Sequence, residues 1–196
     1  MLEVISANEA YILSNNTSPL SKICNLLVEN DFLNPVILVK KYLKIRSKGK
    51  LLVSISGEGK VILNEKEVPL WRALVLPPSY TLTLYPTKEL YLGIKGLSYS
   101  TQDKFLYRLR NGEVLSCTEL NGNISLEKVV ISKVPESLLR EYLTLNGEKE
   151  REDKGRKIVE KIIRHVKLAK EAIVRGAKLV RVKVNGVTYE ALIEEI

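Results

Sequence analysis

The sequence predicts a mainly β protein with added helices, an α+β class. Between Val36 and about Ile131, ten short apolar runs alternate with turn residues, the mark of an all-β barrel or sandwich. Ile158, Ile162, Val166, Ala169 and Ile173 then recur at helical spacing. Last, two strand-like runs, 178–184 and 187–193, flank Asn185-Gly186, a strong hairpin signal. The expected division is a β-barrel domain over 1–132 and a helical segment with a terminal hairpin over 133–196.

In chain order, residues 2–5 and 10–13 read as short strands. Ser18 is a helix N-cap, and Pro19 takes the first helical position, where its missing N–H costs nothing. Leu20, Ile23, Cys24 and Leu27 share one face of this helix, which stops near Asn30. The strands that follow are broken at Gly49, Gly57, Gly59, Asn64, Pro77-Pro78, Pro86, Gly96, Asn111-Gly112 and Asn121-Gly122. Gly57-Glu58-Gly59 begins like a dinucleotide fingerprint, but a strand and not a helix follows, so it reads as a hairpin turn. Pro135 opens a short helix that ends at Asn146-Gly147. The charged stretch 148–156 reads as a solvated linker or helix start, and Gly176 closes the long helix.

Composition excludes several classes. No run of about 18 apolar residues is long enough for a membrane-spanning helix, and the first residues lack a basic start and a long apolar stretch. A cytoplasmic protein is expected. Two cysteines, Cys24 and Cys117, without a Cys-x-x-Cys pair point to free buried thiols, with a Cys24–Cys117 bridge as the alternative. Abundant Lys, Ile, Leu, Val and Glu lean towards a thermophilic source. The net charge of +8 is local: Arg151 to Lys183 holds 12 Lys/Arg against 4 Asp/Glu, while the rest carries 19 of each sign. Acidic partners therefore concern that segment.

Across roughly residues 1–120 an ordered series of motifs resembles the allophanate hydrolase subunit 2 family, which includes the C-type component of 5-oxoprolinase and related biotin-dependent carboxyltransferases. Ile23-Cys24-Asn25-Leu26-Leu27-Val28-Glu29-Asn30 is similar to the family's Ala-Asn-Leu-Leu-Val-Gly-Asn helix. Val68-Pro69-Leu70-Trp71-Arg72, with the strands after it, resembles the family's turn and strand. Tyr91-Leu92-Gly93 is similar to its Tyr-Leu-Ala-Val-Ala strand, and Ser98 to Leu115 to its Ser-Arg-Ser-Thr segment. The resemblance implies a cyclophilin-like β-barrel and a partner of related fold, the B-type component of such complexes. It also implies ATP-dependent cleavage of 5-oxoproline, or carboxyl transfer through biotin. No cofactor is evident from the residues themselves, and ATP or biotin enters through the family alone.

The departures concern the active-site loops. Residues 10–19 lack the family's Gln-Asp and Gly-Arg, residues 37–41 replace its acidic residue and Gly-Gly, and Lys95 stands at one of its paired glycines. Such glycines let the backbone approach phosphate or carboxylate closely. The expectation is a shortened, degenerate member with a structural or regulatory role. If activity survives, the chain is an amide hydrolase or carboxyltransferase component, with Arg72, Ser100, Thr101 and Gln102 as the polar groups to test.

Other chemistry is weighed from the residues. Trp71 and Arg72 could line a substrate pocket or bind an anion, although an indole in a strand more often packs a core. Cys24 lies on an apolar helix face with no histidine to serve as base. His165, the single histidine, lacks the companions of a metal site or a triad, so no metal is expected. Tyr80, Tyr85, Tyr91, Tyr99 and Tyr107 could stack nucleobases, but no basic groove accompanies them. The basic helix, 156–175, carries Lys157, Lys161, Arg164 and Lys167, which could contact phosphates of nucleic acid. Its strong apolar stripe favours a solvated face covering the barrel. The alternative function is thus a nucleic-acid-associated protein, and a third is a homo-oligomeric scaffold joined through this helix.

Overall fold

Four long strands stand where the sequence suggests eight short ones. They are β1 (Leu2–Leu13), β2 (Val36–Ser47), β3 (Leu51–Leu63) and β6 (Thr81–Ile94), joined by the short β4 (Lys66–Glu67), β5 (Arg72–Leu76), β7 (Leu106–Arg108) and β8 (Val114–Leu115). The computed structural model describes residues 1–15, 18–99, 106–120, 129, 132–145, 148–184 and 187–193. It forms two units, Met1–Asn123 and Ile124–Ile196. The α+β class is as expected: a mainly β first unit, with helices in both.

The strands are long because the expected breakers are bulges. The β1–β2 ladder shifts register between Val4 and Ser6 and between Asn8 and Ala10. The β3–β6 ladder shifts between Gly57 and Gly59, opposite Pro86 and Leu90. Gly57-Glu58-Gly59 is therefore not a hairpin turn. Gly57 has φ +117°, and a Cβ there would collide with Glu89 O. A Cβ on Gly59 would stand 2.5 Å from Tyr85 O. The glycines let two bent strands touch backbone to backbone. Asn111-Gly112 also differs from a hairpin centre, since β7 and β8 both pair antiparallel with β1. The pair marks a kink along one edge, pinned by the Gly112 N–H to Val4 O at 2.7 Å and the Ala7 N–H to Asn111 Oδ1 at 2.8 Å. A two-residue hairpin does occur at Asn64-Glu65, both at positive φ, between β3 and β4.

The strand order is β4-β3-β6-β2-β1-β7, with β5 on β3 and β8 on β1. Among the described residues these pairings leave the sheet open, whereas the sequence led to a closed barrel. Residues 116–120 reach across with isolated bonds in place of a ladder: Ser98 N–H to Ser116 O, Thr118 N–H to Lys95 O and Leu120 N–H to Lys50 O, at 2.8–3.0 Å. One face of the sheet buries the main core, including Leu51, Val53 and Ile55 of β3 and Leu84, Leu90 and Leu92 of β6. Alternation turns Ser54 and Ser56 to the other face.

That second face carries α1 (Pro19–Leu27). The Ser18 side chain accepts from the Ser21 N–H at 3.2 Å, so start and cap are as the sequence predicts. Cys24, Leu13, Val36, Leu38 and Tyr91 form a smaller core beneath it. Gly93 permits the close approach: a Cβ there would lie 2.8 Å from Ser54 Oγ and 3.0 Å from Cys24 Cβ.

The second unit holds α2 (Glu136–Leu143), α3 (Glu148–Val174) and the antiparallel pair β9 (Lys178–Val184) and β10 (Val187–Ile193). The strand ends fall where the alternation places them; Asn185-Gly186 lies outside the described residues, as do Asn121-Gly122 and Asn146-Gly147. Of the two readings of residues 148–156, linker or helix start, the second holds: α3 begins at Glu148. Gly155 is a packing residue within the helix, 3.5 Å (as a built Cβ) from Tyr142 and 3.6 Å from Leu145. Ile158, Ile162 and Val166 are buried, and Gly176, at φ +102°, ends the turn with its N–H on Ile173 O.

Glu190 ties β10 to the segment before α2 through an ion pair to Lys133, and to β9 through one to Arg181 at 3.1 Å. The Lys133 hydrogen bond, ahead of the Arg181 contribution, holds the Glu190 carboxyl below its ordinary value. A depressed folded-state pKa adds stability above the unfolded pKa of about 4.5, lost as pH falls through the folded value. Glu190→Gln is expected to lower the thermal midpoint at pH 7 and to narrow the gap to wild type as acid is added. A gap constant from pH 7 to pH 3 would exclude this linkage.

Candidate functional site

The residues of the motif series are bonded to one another. Asn25, fully buried in α1, donates through Nδ2 to Phe32 O at 3.3 Å and Asn34 O at 2.9 Å. Asn30 Nδ2 donates to Asn25 Oδ1 at 3.2 Å and to Ile94 O at 2.8 Å, while Asn30 Oδ1 accepts from the Gly96 N–H at 3.0 Å. An ion pair of 2.9 Å joins Glu29 to Lys95 at the same corner. Thus the Asn-Leu-Leu-Val-Glu-Asn run fastens the loop after α1 to the turn after β6. On β3, Ile55 pairs with Arg72 of β5 on one side and Leu92 of β6 on the other.

Beneath α1, Cys24 Sγ lies 3.1 Å from Ser56 Oγ and 3.1 Å from Tyr91 O, and Ser54 Oγ donates to Cys24 O at 2.8 Å. Burial pushes the Cys24 thiol up, against the opposing hydrogen bonds from Ser56 and Ser54. The thiolate is disfavoured, and Cys24 packs α1 on the sheet without nucleophilic character. Cys117 is half-buried and also raised by burial; both cysteines are free.

Trp71 and Arg72 form the strained point of the first unit. Trp71 has φ +61°, a left-handed conformation that a bulky side chain rarely adopts. It is held there by its N–H on Ile55 O at 2.7 Å and by burial to 5% exposure. The strain turns the chain so that β5 can begin at Arg72. Arg72 is half-buried, and its Nε is buried with no hydrogen-bond partner among the described residues. A desolvated guanidinium N–H without an acceptor suits a carboxylate or phosphate oxygen. It also has a measurable consequence. Arg72→Met, which keeps the length and removes the donor, is expected to raise stability by about 1 kcal/mol in urea unfolding. A loss of stability would show that Nε is satisfied by water or by its neighbours.

Ser100, Thr101 and Gln102 lie outside the described residues. At β7 and just after it, Leu106, Tyr107, Arg108, Leu109 and Arg110 line a cavity of about 420 Å³. In the strand order β5 and β7 stand at opposite ends, so the two groups of candidates are not joined by strand pairing. The tyrosines form no common platform. Tyr91 is buried on the α1 face, Tyr85 meets Tyr42 edge-on, and Tyr99 packs on Tyr107 at 4.7 Å between centroids.

On α3, Lys157, Lys161, Arg164 and Lys167 are exposed, with Lys161 3.4 Å from Glu141. His165 is exposed among them. Among the described residues no cluster of side chains has the composition of a metal site, and no helix is long and apolar enough to cross a membrane. Sequence reasoning missed Asn25 and Asn30. Their signal is two asparagines five residues apart bracketing an apolar run, where a surface helix has no need of them.

Neither a protein-family model nor a curated protein matches the sequence. Solved structures do. TTHA0988 is similar with a TM-score of 0.54 and 18% identity, over 62% of this chain and 57% of that chain. In another crystal form the same protein matches with a TM-score of 0.54 over 63% of this chain and 32% of that chain. The K. lactis urea amidolyase matches with a TM-score of 0.53 and 15% identity, over 70% of this chain and 11% of that chain. This chain spans little more than half of TTHA0988 at most. At these identities the likeness is one of fold.

Proposed function

We propose that the chain is a reduced relative of the C-type component of a 5-oxoprolinase or carboxyltransferase-type complex, with a structural or regulatory role beside a B-type partner. The observation that carries this reading is the mutual bonding of the motif residues. Asn25 and Asn30 clamp the end of β6, while Ile55 holds Arg72 and Leu92 on either side. The fold likeness to TTHA0988 and to part of a urea amidolyase supports it. In this reading the open sheet derives from a cyclophilin-like barrel, and Trp71 and Arg72 are the remnant of a carboxylate-binding site. Ser100, Thr101 and Gln102, which precede β7 in the sequence, stay the further polar groups to test.

The chemistry left to such a site is anion binding. Arg72 offers a desolvated donor, and the rigid left-handed turn at Trp71 fixes the start of the guanidinium stem. No general base stands beside Arg72 in the described contacts. A regulatory or positioning role therefore fits these residues better than bond cleavage. ATP and biotin would belong to the assembled complex.

The test is a reconstituted mixture of this chain with a B-type partner protein, assayed for 5-oxoproline cleavage and for carboxyl transfer. Stimulation by this chain, lost with Arg72→Ala, supports the reading. Unchanged turnover in the Arg72→Ala mixture removes Arg72 from the site, and no effect of the wild-type chain removes the role. Steeply salt-dependent nucleic-acid binding, weakened by charge reversal at Lys161 and Arg164, would point to the basic helix instead.

A further inference from the structure

The second unit has a cavity of about 430 Å³ between α3 and the β9–β10 pair, walled by Leu168, Ala169, Ala172, Leu179 and Leu192. Its charged rim is already engaged within the protein, Lys133 with Glu190 and Arg175 with its own neighbours, so it selects no ligand by charge. The first unit offers a surface that does select.

Helix α1 covers only one half of the sheet's second face, the half with Leu38, Ser54 and Tyr91. Past the register shifts between Val39 and Leu43 and between Gly57 and Gly59, no described element covers that face. Its residues follow from alternation. Leu43, Ile45, Val61 and Leu84 enter the main core, so Tyr42, Lys44 and Arg46 of β2, Tyr85 of β6 and Lys60 of β3 belong to the open side. A solvated face on an antiparallel sheet is ordinary in itself. The charge on this one is not balanced.

Towards the margins the charges cancel in pairs, Lys41 with Glu9 and Lys60 with Glu67 at 3.0 Å. Glu3 stands across the ladder from Arg46 but pairs with Lys48, at 3.8 Å, so one carboxylate serves three cations. Among the described residues Lys44 and Arg46 make no ion pair. They are two apart on one strand, about 7 Å between Cα atoms. Beside them Tyr85, 44% exposed, meets Tyr42 edge-on at 5.3 Å between centroids. Tyrosine and arginine are the side chains that protein interfaces favour. A nucleic-acid strand fits less well. The edge-on rings leave no parallel pair for a base to lie between, and Glu3 and Glu67 stand where further phosphates would run.

We propose that this open half-face docks a folded partner protein through an acidic patch, with carboxylates on Lys44 and Arg46 and an apolar rim over Tyr42 and Tyr85. The inference rests on the proposed role, because it names the surface by which the chain joins its B-type partner.

The experiment is calorimetric titration of the full chain with the B-type partner protein, joined to amide chemical-shift mapping on the wild-type chain. The largest shifts are expected in 42–46 and 81–85. Lys44→Glu combined with Arg46→Glu should weaken binding about tenfold or more, and added salt should narrow the gap. Lys161→Glu combined with Arg164→Glu should change binding less than about twofold. If the partner binds but the Lys44/Arg46 variant binds equally well, or the shifts centre on other elements, the docking surface is overturned and the role stands. No binding of the partner by the wild-type chain removes both. Oligothymidylate that shifts 42–46 and competes with the partner would put nucleic acid on this face and overturn the proposal as well. The mapping decides the matter even if the double variant fails to fold.

Discussion

Gly57→Val is expected to unfold the first unit. The position combines two demands that no β-branched residue meets. Its φ of +117° lies in the region reserved in practice for glycine, and a Cβ there would collide with Glu89 O across the β3–β6 ladder. The colliding atom is backbone, in one of the three long strand pairs that carry the main core, β1–β2, β2–β6 and β3–β6, so a rotamer change cannot relieve it. Relief requires opening the ladder near Leu90, next to the fully buried Ile55 and Leu92. Strain and lost pairing together cost about 4 kcal/mol or more, a large part of the 5–15 kcal/mol of a typical domain. Urea unfolding followed by Trp71 fluorescence checks it, since Trp71 is the single tryptophan and is buried in this unit. A midpoint within 0.5 M of wild type, a bound set by an ordinary slope of about 1–3 kcal/mol/M, would mean that the bulge yields.

Asn25→Leu is the second substitution with a large effect. Leucine keeps the size and adds apolar surface at a fully buried position, which would ordinarily stabilise. Here it leaves Phe32 O and Asn34 O without their donor and deprives Asn30 of its acceptor. Each of the three part-buried hydrogen bonds lost costs about 1 kcal/mol, so a net loss of about 3 kcal/mol is expected. Asn30→Ala breaks the links to Ile94 O and Gly96 N–H and should cost about 2 kcal/mol. The double variant should cost less than the sum, because the Asn25–Asn30 bond is lost only once. Strict additivity would show that the two asparagines act separately.

What the sequence made legible follows from local chemistry. The Ser18-Pro19 cap and the Gly176 stop declare themselves because each satisfies a helix end by its own side chain or backbone freedom. The alternation in 178–184 and 187–193 fixes strand limits without tertiary help. The long strands were hidden because a bulge and a turn use the same residues. Gly57 and Pro86 punctuate the pattern in either case, and only the partner strand decides between them. The start of α3 stayed ambiguous between linker and helix because residues 148–154 are all charged, and the packing of Gly155 near Tyr142 and Leu145 is visible only in the fold. Whether a sheet closes is decided between residues far apart in sequence, and here Leu120 and Lys50 share a single hydrogen bond and no ladder, which no periodicity encodes.

The site was legible in part. Trp71 and Arg72 stand out as residue types, but the left-handed turn at Trp71 and the orphaned Nε of Arg72 are products of the β3–β5 pairing. Asn25 was hidden for the opposite reason. A polar residue on a short helix suggests solvent, and only the returning loop at 32–34 explains its burial. The basic segment was plain as charge, while the cavity beside it needed α3 and the β9–β10 pair to be brought together.

The most direct test of the proposed role is affinity capture of the tagged chain from its native extract, with the stoichiometry measured by light scattering of the eluted complex. The expected result is a defined complex with a partner of the B-type fold, and 5-oxoproline-cleaving or carboxyl-transfer activity in that fraction. A chain recovered alone, or with nucleic acid that salt releases, would contradict it.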